Sequence, residues 1–318
     1  VATQPSWFYV MVVVTVLLFT ELKHTFTELA QRMKNDEMIT LAKFLAISGI
    51  ILPMLPNENL IPDINLTPYT VWLATVVVSG ISYLSYLLRR YVFHESGILV
   101  SGIIGGLYSS TATISVLARK SRKAPAQEAP EYAAAMLLAV SMMFLRFLIL
   151  IGIFSKAILA EIYPYLLIMS FVTAGVAWYL HRKRKSIPVT GEEAEEEDSS
   201  NPLEFKVALI FAVLFVIFTI VTHYTLIYTG TGGLNVLSFI AGLSDITPFI
   251  LNLLQGSGVA VVVVTACCMQ AIVSNIAVNM CYALFFAGGK SPLRRWVLRG
   301  FGGVIAVNVC LLLFFYLL

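Results

Sequence analysis

A glycine pair followed by a run of hydroxyl side chains stands in the middle of an otherwise apolar segment. The stretch GGLYSSTAT, 105–113, contains Ser109, Ser110, Thr111 and Thr113. Such hydroxyls, with backbone N–H groups freed at the start of a half-helix, can bind an anion or a partly dehydrated ion. The alternative is helix packing, because small residues allow close approach and Ser or Thr can bond to its own helix. We expect the cluster to bind a small ion or solute.

A second stretch repeats this pattern. IAGLSDITPFI, 240–250, aligns with IGGLYSSTATI, 104–114, at a constant offset of 136 residues, so that Thr247 corresponds to Thr111. Each copy follows one apolar segment and precedes two more. We therefore predict an internal repeat, with Thr247 as a second candidate binding residue.

Glycine and proline mark candidate turns in both copies. Gly105 and Gly106 precede the hydroxyls of the first copy, while Gly242 and Pro248 flank the polar residues of the second. Glycine permits a tight turn, and proline interrupts a helix because it lacks an N–H and clashes with the preceding turn. We expect the chain to turn at these residues.

Two ionisable residues interrupt long apolar runs. Arg146 is the only Asp, Glu, Lys or Arg in 132–155, and Asp245 is the only one in 207–289. A charge at the centre of a membrane helix costs about 2.5–3.5 kcal/mol on insertion scales, so it faces a protein interior or a cavity. Either the two residues pair with each other, or Arg146 binds an anionic group and Asp245 takes a cation or a proton.

Asn275 and Asn279 lie on one face of the apolar segment that follows the second copy. With Cys268 and Ala271 they form a stripe of small and polar residues at helical spacing. Asparagine coordinates ions through its oxygen or donates to anions through its nitrogen. Hydrogen bonding between helices is an equally good explanation of this stripe.

The composition identifies the class of protein. The chain has 318 residues, of which 58% are hydrophobic and 12% charged, and its mean hydropathy is +0.85. A soluble domain carries roughly 25% charged residues. A net charge of +3 without a basic, aromatic-rich patch gives no reason to expect nucleic acid binding. We predict an integral membrane protein built from apolar helices.

The sequence carries no recognisable constellation for catalysis or metal binding. It lacks H-E-x-x-H, G-x-S-x-G, a P-loop and paired carboxylates within apolar segments, and its four cysteines show no metal-ligand spacing. We therefore expect no enzymatic activity, no cofactor and no metal site.

The apolar runs predict an all-α membrane protein with about eight to ten transmembrane segments. A run of basic and then acidic residues, 181–204, divides the chain as a cytoplasmic linker. We assign N-terminal helices with an amphipathic stretch to 1–67, repeat 1 to 68–180 and repeat 2 to 205–318. Because the chain begins with Val1, we expect an upstream part of the protein to be absent from it.

The distribution of Lys and Arg bears on the path of the two motifs. Basic residues collect in the cytoplasmic loops of membrane proteins. If every apolar segment crossed the membrane, clusters on either side of each motif would lie on opposite faces. If 97–118 and 233–254 instead enter and return, every cluster becomes cytoplasmic and the two motifs enter from opposite sides. This arrangement predicts an inverted repeat with two re-entrant or broken helices; the clusters are Lys23/Arg32/Lys34/Lys43, Arg89/Arg90, Arg119/Lys120/Arg122/Lys123, Arg182–Lys185 and Lys290/Arg294/Arg295/Arg299.

Several ordered motifs along the chain resemble one family of prokaryotic membrane proteins. That family carries an MgtC/SapB-type N-terminal domain followed by a membrane domain of uncharacterised function. The resemblance implies a multi-pass protein of the prokaryotic inner membrane, preceded by a mostly absent MgtC-type part. The chain departs from the family pattern at Thr247, where an acidic residue is common, and at Asn279, where a lysine is common. The motifs are LPMLPN (52–57), LTPYTVW (66–72), GGLYSSTATISVLARKSR (105–122), SMMFLR (141–146), NPLEFKVALIF (201–211), GLSDI (242–246) and SNIAVN (274–279).

These observations favour a secondary transporter or channel for a small ion or a small anionic solute. The two motif turns would meet Arg146, Asn275 and Asn279 near the middle of the membrane. The resemblance implies an alternative, a regulatory membrane protein that acts on partner membrane complexes and is linked to magnesium. The expected partners are the lipid bilayer and a small ion or solute, with a homodimer left open.

Overall fold

The structure, a computed structural model, describes residues 13, 16, 17, 20, 35–61, 64, 66–88, 97–183, 205–255, 258–289 and 291–317. Clustering of contacts divides the chain into two compact units, Val1–Ile51 and Leu52–Leu318. The predicted amphipathic stretch at 21–36, Arg89 and Arg90, most of the charged linker (184–204) and Lys290 lie outside the described residues.

The first unit contains α1 (Asn35–Ala46), which continues into one π-helical turn (Ile47–Ile51). All the remaining long helices belong to the second unit. They are α2 (Pro68–Leu87), α3 (Ile98–Lys120), α4 (Ala129–Phe154), α5 (Lys156–Arg182), α6 (Phe205–Gly242), α7 (Ile246–Leu254), α8 (Val261–Ala287) and α9 (Leu293–Leu317).

The prediction of an all-α, multi-pass membrane protein is confirmed. Within the described residues, seven helices are long and apolar enough to cross a membrane, namely α2, α3, α4, α5, α6 from Ala208 onward, α8 and α9. Helix α4 lies at the centre, with Ala133 to Leu137 all fully buried. It packs against α3, α5, α7 and α9.

Local sequence signals set several helix starts. The Thr67 hydroxyl accepts from the N–H of Thr70, whose own hydroxyl accepts from the N–H of Thr67, and Pro68 occupies the first helical position of α2. Ser155 caps α5 by accepting from the N–H of Ile158. The single residue between α4 and α5 makes these helices an antiparallel pair, held in the middle by hydrogen bonds between Ser141 and Ser170.

Helix α3 folds back on itself at Ser109, whose φ of −158° and ψ of 110° are extended rather than helical. A Cβ added to Gly105 would lie 2.5 Å from the hydroxyl of Thr113. Residues eight apart in a straight helix are separated by about 12 Å along the axis. Residues 98–108 and 110–120 are therefore two arms of one helical hairpin, which we name hairpin A.

Helix α6 breaks at Gly230, whose φ of 63° and ψ of −154° favour glycine. A Cβ on Gly233 would lie 2.9 Å from a methyl carbon of Thr225, so the chain turns back here as well. The returning residues, 231–242, and α7 form hairpin B, with its tip at 243–245. Helix α7 lies against the first part of α6, because Asn252 Nδ2 donates to Thr222 Oγ1 at 2.9 Å.

Contacts with α8 give the direction of hairpin B. Asn235 Oδ1 accepts from Cys267 Sγ at 3.5 Å, and the carbonyl of Phe239 accepts from the hydroxyl of Ser274 at 2.8 Å. Both residue numbers rise together, so the first arm runs parallel to α8 from its N-terminal end. The base of hairpin B therefore lies at that end.

Hairpin A approaches the same helix from its other end. Thr111 Oγ1 donates to Asn279 Oδ1 at 2.8 Å, and further along, the guanidinium of Arg119 lies 4.5 Å from the ring centroid of Phe286. The second arm of hairpin A thus runs toward the C-terminal end of α8. The two hairpins enter from opposite ends of this helix, and their tips meet near its middle.

The turns do not use the residues that the sequence analysis assigned to them. Gly105, Gly106 and Gly242 lie within helices and provide close approach: a Cβ on Gly106 would lie 2.5 Å from the Cα of Ala139. The turn of hairpin A needs no glycine, because extended backbone is open to any residue. Pro248 does not break its helix either, since it lies in the first turn of α7, where N–H groups have no intrahelical partner.

Candidate functional site

A cavity of about 430 Å³ lies where the two hairpin tips meet. Its wall is formed by both tips and by parts of α2, α4, α6 and α8. Pockets that bind small molecules have volumes of about 300–1,000 Å³. The cavity is therefore large enough for a small solute or a partly hydrated ion.

Arg146 of α4 connects the two tips at this cavity. Its Nη1 donates to the carbonyl oxygen of Tyr108 in hairpin A at 2.8 Å, and its Nη2 donates to Thr247 Oγ1 in hairpin B at 2.7 Å. Neither hydrogen bond goes to Asp245, so the guanidinium is not held by direct pairing with that carboxylate. Its Nε is buried without a hydrogen-bond partner among the described residues.

The returning arm of each hairpin begins with a capped helix N-terminus at the cavity. Ser109 Oγ accepts from the N–H of Ala112 at 3.3 Å, and Asp245 Oδ1 accepts from the N–H of Thr247 at 3.0 Å. Ser109 and Asp245 are separated by the same 136 residues that separate the two sequence motifs. A helix N-terminus carries roughly half a positive charge and favours anions.

Asn275 and Asn279 of α8 join the same two tips from the other side. Asn275 Nδ2 donates to the carbonyl of Gly242 at 3.3 Å, while Asn279 Oδ1 accepts from the hydroxyl of Thr111. The two amides are bonded to each other, Asn279 Nδ2 to Asn275 Oδ1, at 3.1 Å. These residues therefore serve the interhelical role that the sequence left open, and Asn275 also lines the cavity.

Most of the site residues expected from the sequence are brought together here. Two are placed elsewhere: Thr113 contacts Gly105 inside hairpin A, and Asn279 lies behind Asn275, so neither is among the described residues that line the cavity. The predicted residues that do line it are Ser109, Ser110, Thr111, Arg146, Asp245, Thr247 and Asn275.

The sequence analysis missed the contribution of α2. Ser79 and Ser82 of this helix line the cavity, as does Tyr282 of α8. The two serines lie on one face at a spacing of three residues, and this spacing was the available signal. It was weak because isolated serines are common in the packed faces of membrane helices.

The lining can provide hydrogen bonds and a positive field rather than bond-breaking chemistry. Its polar groups are hydroxyls, one amide, one guanidinium and one carboxylate, contributed by Ser, Thr, Tyr, Asn275, Arg146 and Asp245. Within the part of the chain that the structure describes, no group of three or more His, Cys, Asp or Glu residues could hold a metal ion. The arrangement is suited to reversible binding of a small polar species.

The fold and the cavity define a multi-pass all-α membrane protein with two helical hairpins that meet inside the bundle. The chain belongs to the family described as a domain of unknown function (DUF4010), whose model matches residues 76–287. The match includes both hairpins and every lining residue of the cavity.

Similarity to individual proteins adds one relative. An uncharacterised protein of Aquifex aeolicus (strain VF5) is 26% identical over 201 residues, which cover 61% of this chain and 84% of that protein. No solved structure matches the chain.

Proposed function

We propose that the protein moves a small ion or a small anionic solute across the membrane through this cavity, as a secondary transporter or a channel. The observation that carries the proposal is the convergence of two hairpin tips and Arg146 on one cavity. Irregular backbone at membrane depth is tolerated only inside protein or beside a water-filled cavity. Capped half-helices that meet at the membrane midplane are the usual construction of ion and solute sites in transporters.

An inverted repeat supports the proposal. Ser109 and Asp245 have the same role at one constant offset, and the order of one span, one hairpin and two spans occurs twice. Helix α4 of the first set contacts α9 of the second, and α8 of the second contacts α5 of the first. Because the hairpins enter from opposite ends of α8, the two sets have opposite orientations, as alternating access requires.

The cavity extends toward the end of the bundle where hairpin A enters. Tyr282 lies beyond Asn279 toward the C-terminus of α8, and Ile210 lies near the start of α6 at the same end. A cavity that reaches one end and stops at the hairpin tips is the geometry expected of a carrier open to one side.

Basic residues mark this end as cytoplasmic. Arg119 ends hairpin A, Arg182 ends α5, and Arg295 lies at the start of α9. All three helix ends lie near the C-terminus of α8, where a Cβ on Gly288 would lie 3.6 Å from Arg122. Under the positive-inside rule, the proposed location is the inner membrane of a prokaryote with the cavity open to the cytoplasm.

The test is flux through purified protein in liposomes loaded with a panel of small anions and cations. Arg146→Gln should lower flux at least tenfold, because the guanidinium is the one cation among the described lining residues. Arg146→Lys keeps the charge but loses the two-pronged contact with both tips, so an intermediate rate is expected. Arg295→Gln, on an exposed arginine, is the matched control.

A regulatory protein, as the MgtC/SapB resemblance implies, is the second candidate. It is favoured by the exposed apolar face of α6, whose candidate span is only 22% buried against 67% for α8. Lipid or a partner helix could cover that face. Absence of flux for the whole panel, together with stoichiometric copurification of a membrane partner, would support this candidate and refute transport.

A further inference from the structure

We propose that the cavity selects a small monovalent anion, and that the carboxylate of Asp245 sets this charge. The inference rests on the proposed function and narrows it to one class of substrate. It depends on the charges and donors around the cavity, and on a difference between the two hairpin tips.

The charges around the cavity add to about one positive charge. The described lining residues include one cationic side chain, Arg146, and one anionic side chain, Asp245. Each of the two helix N-termini at the tips contributes roughly half a positive charge. A monovalent anion would neutralise this sum, whereas a cation would add to it.

The two tips differ in how their helix N-termini are compensated. In hairpin B the carboxylate of Asp245 itself caps α7. In hairpin A the cap at the same offset is the neutral hydroxyl of Ser109. The uncompensated N-terminus therefore belongs to hairpin A, whose tip also contacts Arg146 through the carbonyl of Tyr108.

The donors on that side fit an anion. The first turn of a helix has N–H groups without intrahelical partners, and Ser110 and Thr111 lie in that turn and line the cavity. The buried Nε of Arg146 is a further donor without a partner among the described residues. Nothing comparable favours a divalent cation, since one carboxylate facing a guanidinium is a poor site for Mg²⁺.

The cavity volume limits the size of the anion. At about 30 Å³ per water molecule, 430 Å³ holds roughly a dozen waters. Chloride, nitrate, formate or bicarbonate would therefore fit with part of the hydration shell retained. Large organic anions would not.

The charge can be tested by exchanging the caps of the two tips. Asp245→Ser copies the cap of hairpin A, keeps the helix start and raises the sum to about two positive charges. Ser109→Asp places a carboxylate on the other tip and lowers the sum to about zero. The double variant Ser109→Asp/Asp245→Ser restores the original sum with the carboxylate on the opposite tip.

Selectivity is measured as the reversal potential in planar bilayers under gradients of KNO₃, KCl and K₂SO₄. The parent protein should follow the nitrate or chloride gradient. Asp245→Ser should raise the permeability of sulfate relative to nitrate on the order of tenfold, because a full charge is removed inside a partly buried cavity. Ser109→Asp should abolish anion selectivity, and the double variant should recover it, which a loss of folding could not produce.

Binding is measured separately, as the rise in thermal midpoint of detergent-solubilised protein in sodium nitrate over matched sodium gluconate. Currents that follow the potassium gradient would overturn the anion inference and leave transport standing. Absence of current, with nitrate stabilising the parent but not Ser109→Asp, would overturn transport and support the anion site. Absence of both current and stabilisation would overturn both, as would failure of the double variant to recover the selectivity that each single change alters.

Discussion

Replacement of Gly106 by alanine probes the packing that positions hairpin A against α4. A Cβ at this position would lie 2.5 Å from the Cα and 2.6 Å from the carbonyl oxygen of Ala139. Both are backbone atoms, so no side-chain rotation relieves the contact. The hairpin arm must retreat by about 0.9 Å to reach ordinary van der Waals separation.

The expected destabilisation follows from this displacement. Forcing one extra carbon into a closely packed interface typically costs about 1–3 kcal/mol. For a chain of this size, 1 kcal/mol corresponds to roughly 2–4 °C in the unfolding midpoint. Gly106→Ala should therefore unfold about 3–10 °C below the parent, even though alanine is the better helix former.

The measurement is the apparent thermal midpoint in detergent at one fixed scan rate, since membrane proteins often unfold irreversibly. Gly175→Ala is the matched control, because this exposed glycine of α5 has nothing within 4 Å of an added Cβ. It should match or exceed the midpoint of the parent. Equal midpoints for Gly106→Ala and the parent would refute the close approach of hairpin A to α4, and with it the position of the Ser109 tip.

Two further predictions concern buried hydrogen bonds between helices. Tyr165→Phe should cost about 1–3 kcal/mol in unfolding free energy, because it leaves the buried Asn308 Oδ1 without its phenol donor, whereas Tyr163→Phe on the exposed neighbour should cost little; thermal midpoints of the two variants compare them, and equal values would contradict the bond. Thr111→Val should destabilise by a similar amount because the buried Asn279 amide loses its donor, while Thr111→Val/Asn279→Leu should recover most of the loss; a double variant less stable than the single one would argue against this.

The sequence predicted the elements better than the backbone path inside them. Mean hydropathy and the length of apolar runs predict membrane helices, because a span needs about 20 apolar residues. The constant offset between the two motifs also predicted which residues share a role, and Ser109 and Asp245 both cap a returning arm. The glycines were misassigned because a glycine that permits a turn and one that permits close packing look alike in a sequence. Only the positions of Thr113 and Ala139 in space separate these two roles for Gly105 and Gly106.

The candidate site was predicted in its charged and hydroxyl residues but not in its connections. A lone arginine in an apolar run indicates a buried partner, yet the partners of Arg146 are a carbonyl oxygen and a hydroxyl, which no pattern of charges could indicate. Asn279 was expected in the cavity because it shares a helical face with Asn275. The structure instead uses it to hold Thr111.

The bonds at the hairpin tips are unequal, and this inequality determines which contacts can separate during transport. Hairpin A is joined to α4 by the close approach of Gly102 to Ala135 and of Gly106 to Ala139, and by the charge-assisted bond from Arg146. A hydrogen bond to a charged group contributes about 1.5–3 kcal/mol, and a neutral one about 0.5–1.5 kcal/mol. The tip of hairpin A is joined to α8 by a neutral bond from Thr111. Hairpin A should therefore move as one body with α4, and the cavity should open and close along its contact with α8.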